Sequence, residues 1–504
     1  MRAAGVEVAE AAGGVLEADG TLVCRLTWAG PVKLPLRSEA DVQAACGVMH
    51  VHGRRYGGPR LLGVDFASVA AGVLAAGGTL AALRARELGV PYREVEVSVA
   101  QAALFGLAQY LAAATAEEPC AEPVGMGGPP FRSSDGVRFE LETLAADGWL
   151  RFWTELGVER RVVGRSWLPF QTRYGTATCP LPAELFDAAR RLTFREVVAS
   201  AEQCGVAVTP VAAAPLVMNG MPWRLREGPA GAPTREAPAG GLGPLNGVTV
   251  VEVARRVQGP MAGRVLSLLG ARVVRVEPPG GDPLRGVPPM TEVGGEPVSA
   301  RFAALNRGKE VLEADLRSAE GRSSVRELVR GADVLLHSLA PSKVVGLGLD
   351  AETLDAVRPG LVYAQASGGA PGVDTDYPVQ AYSGLAALLV PPGLPPQPSQ
   401  PPQPPQPPRP TLLTVCDVLG GLVCAAAAVA GLVAQARTGR AQRVESSLVS
   451  AARLLCGAAS APDRPGDGAE VCTDLSVLAG DPRFAGALEG SGCAVVRAPW
   501  EFRT

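Results

Sequence analysis

The sequence predicts an α/β protein built on a doubly wound, Rossmann-like parallel sheet, and three observations carry that expectation. GVTVVEV (247–253) is a short apolar run rich in β-branched residues, the composition of a strand buried on both faces. Gln258, Gly259 and Pro260 interrupt it, and 261–269 then carries apolar residues at helical spacing up to Gly270, where a helix would stop. ARVVRVEP (271–278) is a second such strand. Strand, turn, helix and strand in this order make a βαβ unit. Ligands of such sheets bind beyond the carboxyl ends of the strands. That rule puts Gln258, the 277–285 loop and the 306–309 loop on one rim.

Composition bounds the rest. A chain of 504 residues holds two or three domains with real cores. The net charge of −3 offers no basic face for nucleic acid and no charged tail. Residues 1–20 lack a basic start followed by an apolar core, so no signal peptide is expected. The longest apolar tract, 418–433, is rich in Ala and Gly and shorter than a usual membrane span, which predicts a buried helix and no membrane contact. Ten cysteines without a CxxC pair suit a reducing cytoplasm. His50 and His52 alternate without a third ligand, so no metal is expected. The lysines are only Lys33, Lys309 and Lys343, which makes the one in LNRGK (305–309) informative.

In chain order, 1–20 is weakly patterned and reads as a frayed end. Residues 22–30 read as a strand entering a turn, 38–49 as a helix, 50–63 as a glycine-rich loop and 68–86 as a long Ala-rich helix. A strand and a helix follow over 92–112. Residues 131–140 look like a hairpin, and 146–156 is an amphipathic helix whose Trp149, Phe152 and Trp153 belong in a core. GVAVTPVAA (205–213) is a strand, and 226–245 is a Pro/Gly linker and the best domain boundary. The run PPGLPPQPSQPPQPPQPPRP (391–410) should be polyproline II, read as a loop expansion rather than a docking site.

An internal repeat crosses this order. Residues 68–98 match 417–447 at a constant offset of 349, pairing Gly72 with Gly421 and Glu96 with Glu445. Upstream, Gln43-Ala44 pairs with Gln380-Ala381 at an offset of 337, and the proline run accounts for the extra residues of the second copy.

VQGPMAGRVLSLLGARVVRVEPPGGDPLR (257–285), LNRGK, ADVLLHSLAP (332–341) and LVYAQASG (361–368) are long, ordered and correctly spaced. Together they resemble the N-terminal domain of the family III CoA-transferases, the CaiB/BaiF-like group that includes formyl-CoA and carnitine CoA-transferases. Both repeat copies resemble the family segment that ends in an RTGRGQ-like turn and a strand. Residues 131–215 look like the family's smaller α+β domain, and 476–488 and 494–502 like its closing helix and strand. The resemblance implies a rearranged fusion of two partial copies. Residues 1–120 form a partial large domain, 121–225 the small domain, 226–245 the linker, 246–390 the CoA-binding domain, 391–410 the insertion and 411–504 the rest of the second copy. Family members are described as interlocked dimers. The fusion then implies an internal pseudo-dimer, or a homodimer, with the C-half CoA site covered by the N-half domain.

The resemblance also implies the chemistry: CoA passes from an acyl-CoA to a free carboxylic acid through a carboxylate nucleophile. The family places this Asp four residues before a QA-x-SG motif, here Asp376 before QAYSG, with Asp374 as competitor and a helix N-cap as the plain structural alternative for both. The equivalent N-half position is Glu39, beside Asp41, and reads as a relic. Gln258 and Pro260 match the family's approach to the pantetheine and thioester. Arg285, Asn306, Arg307 and Lys309 are candidates for the CoA phosphates. The family's arginine before a Pro-Gly is absent at Ala340, and Lys343 is the nearest replacement. Gly125, Gly127 and Gly128 match a loop that closes over the reactive carboxylate. No G-x-S-x-G elbow, P-loop or G-x-G-x-x-G is present. Two other readings compete: an acyl-CoA racemase or isomerase of the same family, and a non-catalytic CoA-binding partner protein. The identity of the acyl donor and acceptor is not written in any motif.

Overall fold

The computed structural model describes residues 7–11, 14–118, 125–216, 220–231, 243–389, 407–458, 464–490 and 493–504. The expected βαβ unit lies in a seven-stranded sheet. Six of its strands are parallel: Thr249–Val253, Arg272–Glu277, Glu310–Glu313, Val334–His337, Val362–Ser367 and Arg440–Ser447. Numbered along the chain, they lie in the spatial order 3-2-1-4-5-6. The order reverses between Thr249–Val253 and Val334–His337, and the chain there leaves in opposite directions and opens a crevice. The helix after the first strand is Gln258–Leu268, so Gln258, Gly259 and Pro260 form its first turn instead of preceding it. Proline is tolerated there because first-turn amides have no helical partner in any case.

The seventh strand, Trp223–Ala230, runs antiparallel to Arg440–Ser447. The linker expected from 226 therefore begins inside a strand, and 232–242 lie outside the described residues. A second, five-stranded sheet holds Val8–Ala11, Val15–Ala18, Leu22–Thr27, Glu94–Ser98 and Trp500–Arg503. Its first two strands correct the expectation of a frayed end. They form an antiparallel hairpin on Leu22–Thr27, and its ladder occupies the otherwise open edge of that strand.

The sequence repeat is also a repeat of register. Trp500 pairs with Val97 and Trp223 pairs with Ser446. Positions 97 and 446 stand one repeat offset apart, and the next three pairs on each ladder correspond in the same way. Each sheet's last strand thus comes from a distant part of the chain. The two repeated helices, Phe66–Glu87 and Val415–Thr438, pack against each other. A methyl placed on Gly77 would lie 3.5 Å from that of Ala426, its own repeat equivalent, so a local pseudo-twofold axis runs between these positions. Both helices are long and apolar enough to cross a membrane by length and composition, the second longer than the tract expected. Their apolar windows are 78% and 94% buried inside the protein, which makes them its central core.

Two expectations near Glu39 are corrected. Residues 38–49 form not one helix but two, Glu39–Ala45 and Val48–Gly53, broken at Gly47, whose φ of +87° lies in the left-handed region. The loop expected over 50–63 is helical as far as Tyr56. The middle of the chain forms a small α+β unit. Phe131–Arg132, Arg138–Glu142 and Ala207–Pro210 make an antiparallel sheet. Helices Ala146–Glu155, Arg160–Thr176, Ala183–Arg191 and Phe194–Cys204 accompany it. Trp149, Phe152, Trp153, Phe131 and Phe139 fill the core, as the amphipathic pattern predicts. The polyproline expectation falls on 390–406, outside the described residues.

Candidate functional site

Asp376 opens the helix Asp376–Tyr382, after an N-cap at Thr375. Its carboxylate does not cap its own helix. Oδ2 accepts from the Asp417 amide at 2.7 Å, in the first turn of Val415–Thr438, and Oδ1 accepts from Gln380 Nε2 at 2.5 Å. Gln380 is held in turn: its Nε2 also reaches the Thr411 carbonyl at 3.2 Å, and its Oε1 accepts from the Thr411 amide at 2.8 Å. Asp376 is 2% exposed, and burial, followed by the Asp417 charge, pushes its carboxyl well above the usual range. Burial raises Asp417 to about 6, against the opposing pull of the Arg256 cation. Asp374 lies outside this arrangement, exposed on the approach loop.

The N half repeats the construction around Glu39. Gln43 Nε2 donates to Glu39 Oε1 at 3.0 Å and to the Leu62 and Val64 carbonyls, and Gln43 Oε1 accepts from the Leu62 amide. The difference lies at the helix end. Glu39 accepts from the Ala67 amide at 2.9 Å, from the Ser68 amide at 2.8 Å and from Ser68 Oγ at 2.6 Å. With Gln43, four donors converge on this carboxylate. Ser68 occupies the position that is Asp417 in the C half, at the offset of 349. Ser38 caps this helix, its hydroxyl accepting from the Asp41 amide, and the Asp41 carboxylate accepts from the Arg37 and Gly466 amides.

A cavity of about 600 Å³ lies between the α+β unit and the rim of the large sheet, and it reaches Tyr377, the chain neighbour of Asp376, while Asp376 itself is not among its lining residues. Tyr377, Glu142, Phe170, Arg173, Tyr174 and Arg256 are among its lining residues. Thr375 Oγ1 donates to Glu142 Oε2 at 2.7 Å, tying the unit to the loop that carries Asp376. The Arg173 guanidinium stacks 3.8 Å from the Phe170 ring centre and 4.5 Å from that of Tyr377.

The rim residues divide by what they already hold. Gln258 sits at the strand-order reversal, its Nε2 at 3.4 Å from the Ser367 carbonyl. Lys309 Nζ is buried and donates to Glu252 Oε2 at 2.7 Å, the Pro260 carbonyl at 2.8 Å and Asn306 Oδ1 at 2.9 Å. Burial draws its ammonium down to about 8 despite Glu252. Arg285 forks onto Glu277 at 2.7 and 3.0 Å. Beneath them Arg275, 1% exposed, bridges Glu252, Glu277 and Asp282. Lys309, Asn306 and Arg285 therefore sit within an internal ionic lattice. Arg307 and Lys343 are exposed and make no ion pair among the described residues.

Gly127 and Gly128 have φ of +112° and +83°, which a side chain would strain. Their carbonyls are pinned by two arginines, Arg55 to Gly127 at 3.0 Å and Arg409 to Gly127 and Gly128 at 2.9 and 3.0 Å. They line a separate cavity of about 400 Å³ with Tyr56 and Arg138, away from the one beside Asp376. Gly125 packs against Pro180. His52 is buried and hydrogen-bonded to Thr411 Oγ1 at 2.7 Å, behind the Gln380 anchor.

Sequence reading missed Asp417, Arg173 and Arg256, and it named Gln380 only as the start of QAYSG, not as the anchor of the Asp376 carboxylate. Gln380 and Asp417 were within reach, because the repeat maps Gln380 onto Gln43 at an offset of 337 and Asp417 onto Ser68 at an offset of 349. Arg173 and Arg256 arrive from remote segments and leave no local signal.

A model of CoA-transferase family III matches residues 30–239 and 245–470. A succinate–glutarate CoA-transferase of Agrobacterium fabrum is 35% identical over 216 residues, 41% of this chain and 51% of that protein. An acetyl-CoA:oxalate CoA-transferase of Acetobacter aceti is 32% identical over 249 residues, 46% of this chain and 60% of that protein. A crystal structure of a CaiB/BaiF family protein from Brucella suis is 34% identical, covers 42% of this chain and 55% of that one, and gives a TM-score of 0.37. The chain spans about half the length of the curated relatives it matches. With matches on both sides of residue 240 and a doubly wound sheet of 3-2-1-4-5-6 order, the chain belongs to CoA-transferase family III.

Proposed function

We propose that the chain moves CoA between an acyl-CoA thioester and a free carboxylic acid, with Asp376 as the nucleophile. The observation that carries this reading is the buried Asp376 carboxylate, anchored by Gln380 and a helix amide, one residue before Tyr377 in the wall of a 600 Å³ cavity. The Asp376 carboxylate attacks the thioester carbonyl, giving a mixed anhydride and CoA thiolate. The thiolate attacks the Asp376 acyl carbon and releases the donor acid, leaving an aspartyl-CoA thioester. The acceptor acid then collects CoA by the reverse sequence. Burial makes the carboxylate a more reactive anion, and the helix amide keeps it oriented. Glu39 has its oxygens occupied by four donors and serves as a helix cap.

CoA fits the donor set of the rim. Gln258 and the first turn at Pro260 face the crevice, Arg307 and Lys343 supply cations for phosphates, and Lys309 with Asn306 fixes the Pro260 turn. Arg285 steadies the loop through Glu277, and Gly127 and Gly128 line the separate 400 Å³ cavity. The crossed outer strands and the cavity beneath the α+β unit support an internal pseudo-dimer, in which one chain does the work of two. A racemase would need an imidazole near the α-carbon. His337 lies tilted against Tyr363 with ring centres 4.8 Å apart, and His52 is bonded to Thr411, so neither favours that reading.

The test is CoA exchange between acyl-CoAs and labelled acids. Asp376→Ala should lower exchange by about 10⁴-fold or more, while Glu39→Gln should leave the rate per folded molecule within about twofold. Retained exchange in Asp376→Ala would refute the assignment.

A further inference from the structure

Arg256 stands out in backbone, charge and position. Its φ of +64° is left-handed, a conformation costly for a residue with a side chain. Among the described residues its guanidinium makes no hydrogen bond or ion pair. It lies over the Tyr174 ring, 5.1 Å from the centre. It lines the cavity beside Asp376, and its charge reaches Asp417, whose amide holds the Asp376 carboxylate. The opposite wall carries Arg173, 2% exposed, with Nη1 lacking any partner while Nη2 is spent on Glu142 and the Leu141 carbonyl.

This corner is acidic: Asp376, Asp417 and Glu142 converge on it. A free acid must enter as its carboxylate and would meet like charge from Asp417 and Glu142, Asp376 being held as its CoA thioester at that stage. It needs a cation that is not already paired, and a guanidinium fork matches a carboxylate edge. We propose that Arg256, assisted by Arg173, receives the carboxylate of the acceptor acid and holds it against the Asp376 acyl carbon. This rests on Asp376 being the nucleophile. One carboxylate oxygen of the acceptor attacks the carbonyl carbon of the aspartyl-CoA thioester, the C–S bond breaks and CoA leaves as thiolate. The thiolate then attacks the acceptor's acyl carbon, the C–O bond to Asp376 breaks, and the Asp376 carboxylate is restored. No proton moves, and Arg256 keeps its charge. The phosphates of CoA belong a pantetheine length away from this point.

The experiment uses Arg256→Asn and Arg256→Gly, both compatible with a left-handed φ, and Arg256→Lys. Donors are acetyl-CoA and succinyl-CoA; acceptors are acetate, succinate and phenylacetate. The acceptor KM should rise by about tenfold or more in Arg256→Asn and Arg256→Gly, with partial recovery in Arg256→Lys, while the Kd for desulfo-CoA stays within about twofold. Independently of turnover, the acceptor acids should protect Arg256 of the wild type from phenylglyoxal, and desulfo-CoA should not. An unmoved acceptor KM in a variant that still loads Asp376 overturns the inference alone. So does a raised donor KM with protection by desulfo-CoA, which would make Arg256 a phosphate contact. Absence of any loading in the wild type overturns the Asp376 assignment and this inference together.

Discussion

Asp376 and Glu39 occupy equivalent positions with nearly the same partners, and their difference comes down to one residue. Where the N half has Ser68, whose hydroxyl adds a donor to Glu39, the C half has Asp417, which adds a negative charge beside Asp376. The first arrangement satisfies a carboxylate; the second leaves it strained by burial and repulsion. A pH dependence follows. Both folded-state values lie above those of an unfolded chain, so the pair stabilises the fold below about pH 4 and loses that contribution as pH rises through the folded values. Asp417→Asn should flatten that decline, read by denaturant unfolding between about pH 4 and 7. It should also move the rise of Asp376 loading with pH toward lower pH, because a like charge has been removed. A second prediction concerns Gln380. Gln380→Leu leaves one Asp376 oxygen without its donor and should cost about 1–3 kcal/mol in stability, together with a fall in loading rate, by unfolding and single-turnover measurements. Asp376 could be singled out through the family resemblance, because the spacing to QAYSG that carries it is local. Asp417 and Arg256 matter through convergence across segments, which a linear pattern does not encode.

At the level of elements, adjacent glycines in the Phe66–Glu87 helix meet opposite surroundings. A methyl at Gly77 would make ordinary contact with Ala426 at 3.5 Å. A methyl at Gly78 would stand 2.5 Å from Trp500 Cδ1, a ring buried and held by its Nε1 bond to the Leu74 carbonyl. Gly77→Ala should therefore gain about 0.5–1 kcal/mol from helix propensity, and Gly78→Ala should lose about 1–3 kcal/mol by overpacking. Equal effects in chemical denaturation would contradict the proposed packing at the pseudo-twofold. The long helices, the βαβ unit and the aromatic helix at Trp149 were readable because periodicity and composition agree with their burial. The hairpin over 8–18 was not. Its strands are only four residues each, and they gain order by pairing with Leu22–Thr27 rather than from their own pattern. Trp223–Ala230 was hidden for a related reason: its Gly-Pro-Ala ending resembles a linker, and its ladder partner lies more than two hundred residues away.

Across the whole molecule the two halves are interdependent. Trp223–Ala230 completes the large sheet, Trp500–Arg503 completes the small one, and one hydrophobic cluster runs through both. Expressed separately, 1–231 and 232–504 should each aggregate or remain unfolded, whereas together they should co-purify as a one-to-one complex. Independent folding of either piece would contradict the crossed arrangement. The repeat made this duplication visible in the sequence, but the exchange of outer strands required the ladders. On the proposed reading this chain has one working carboxylate, and mass spectrometry of the protein and its peptides after incubation with a panel of acyl-CoAs decides it. A CoA or acyl adduct is expected on the peptide carrying Asp376, absent in Asp376→Ala and unaffected by Glu39→Gln. An adduct on the Glu39 peptide, or one that persists in Asp376→Ala, would contradict it.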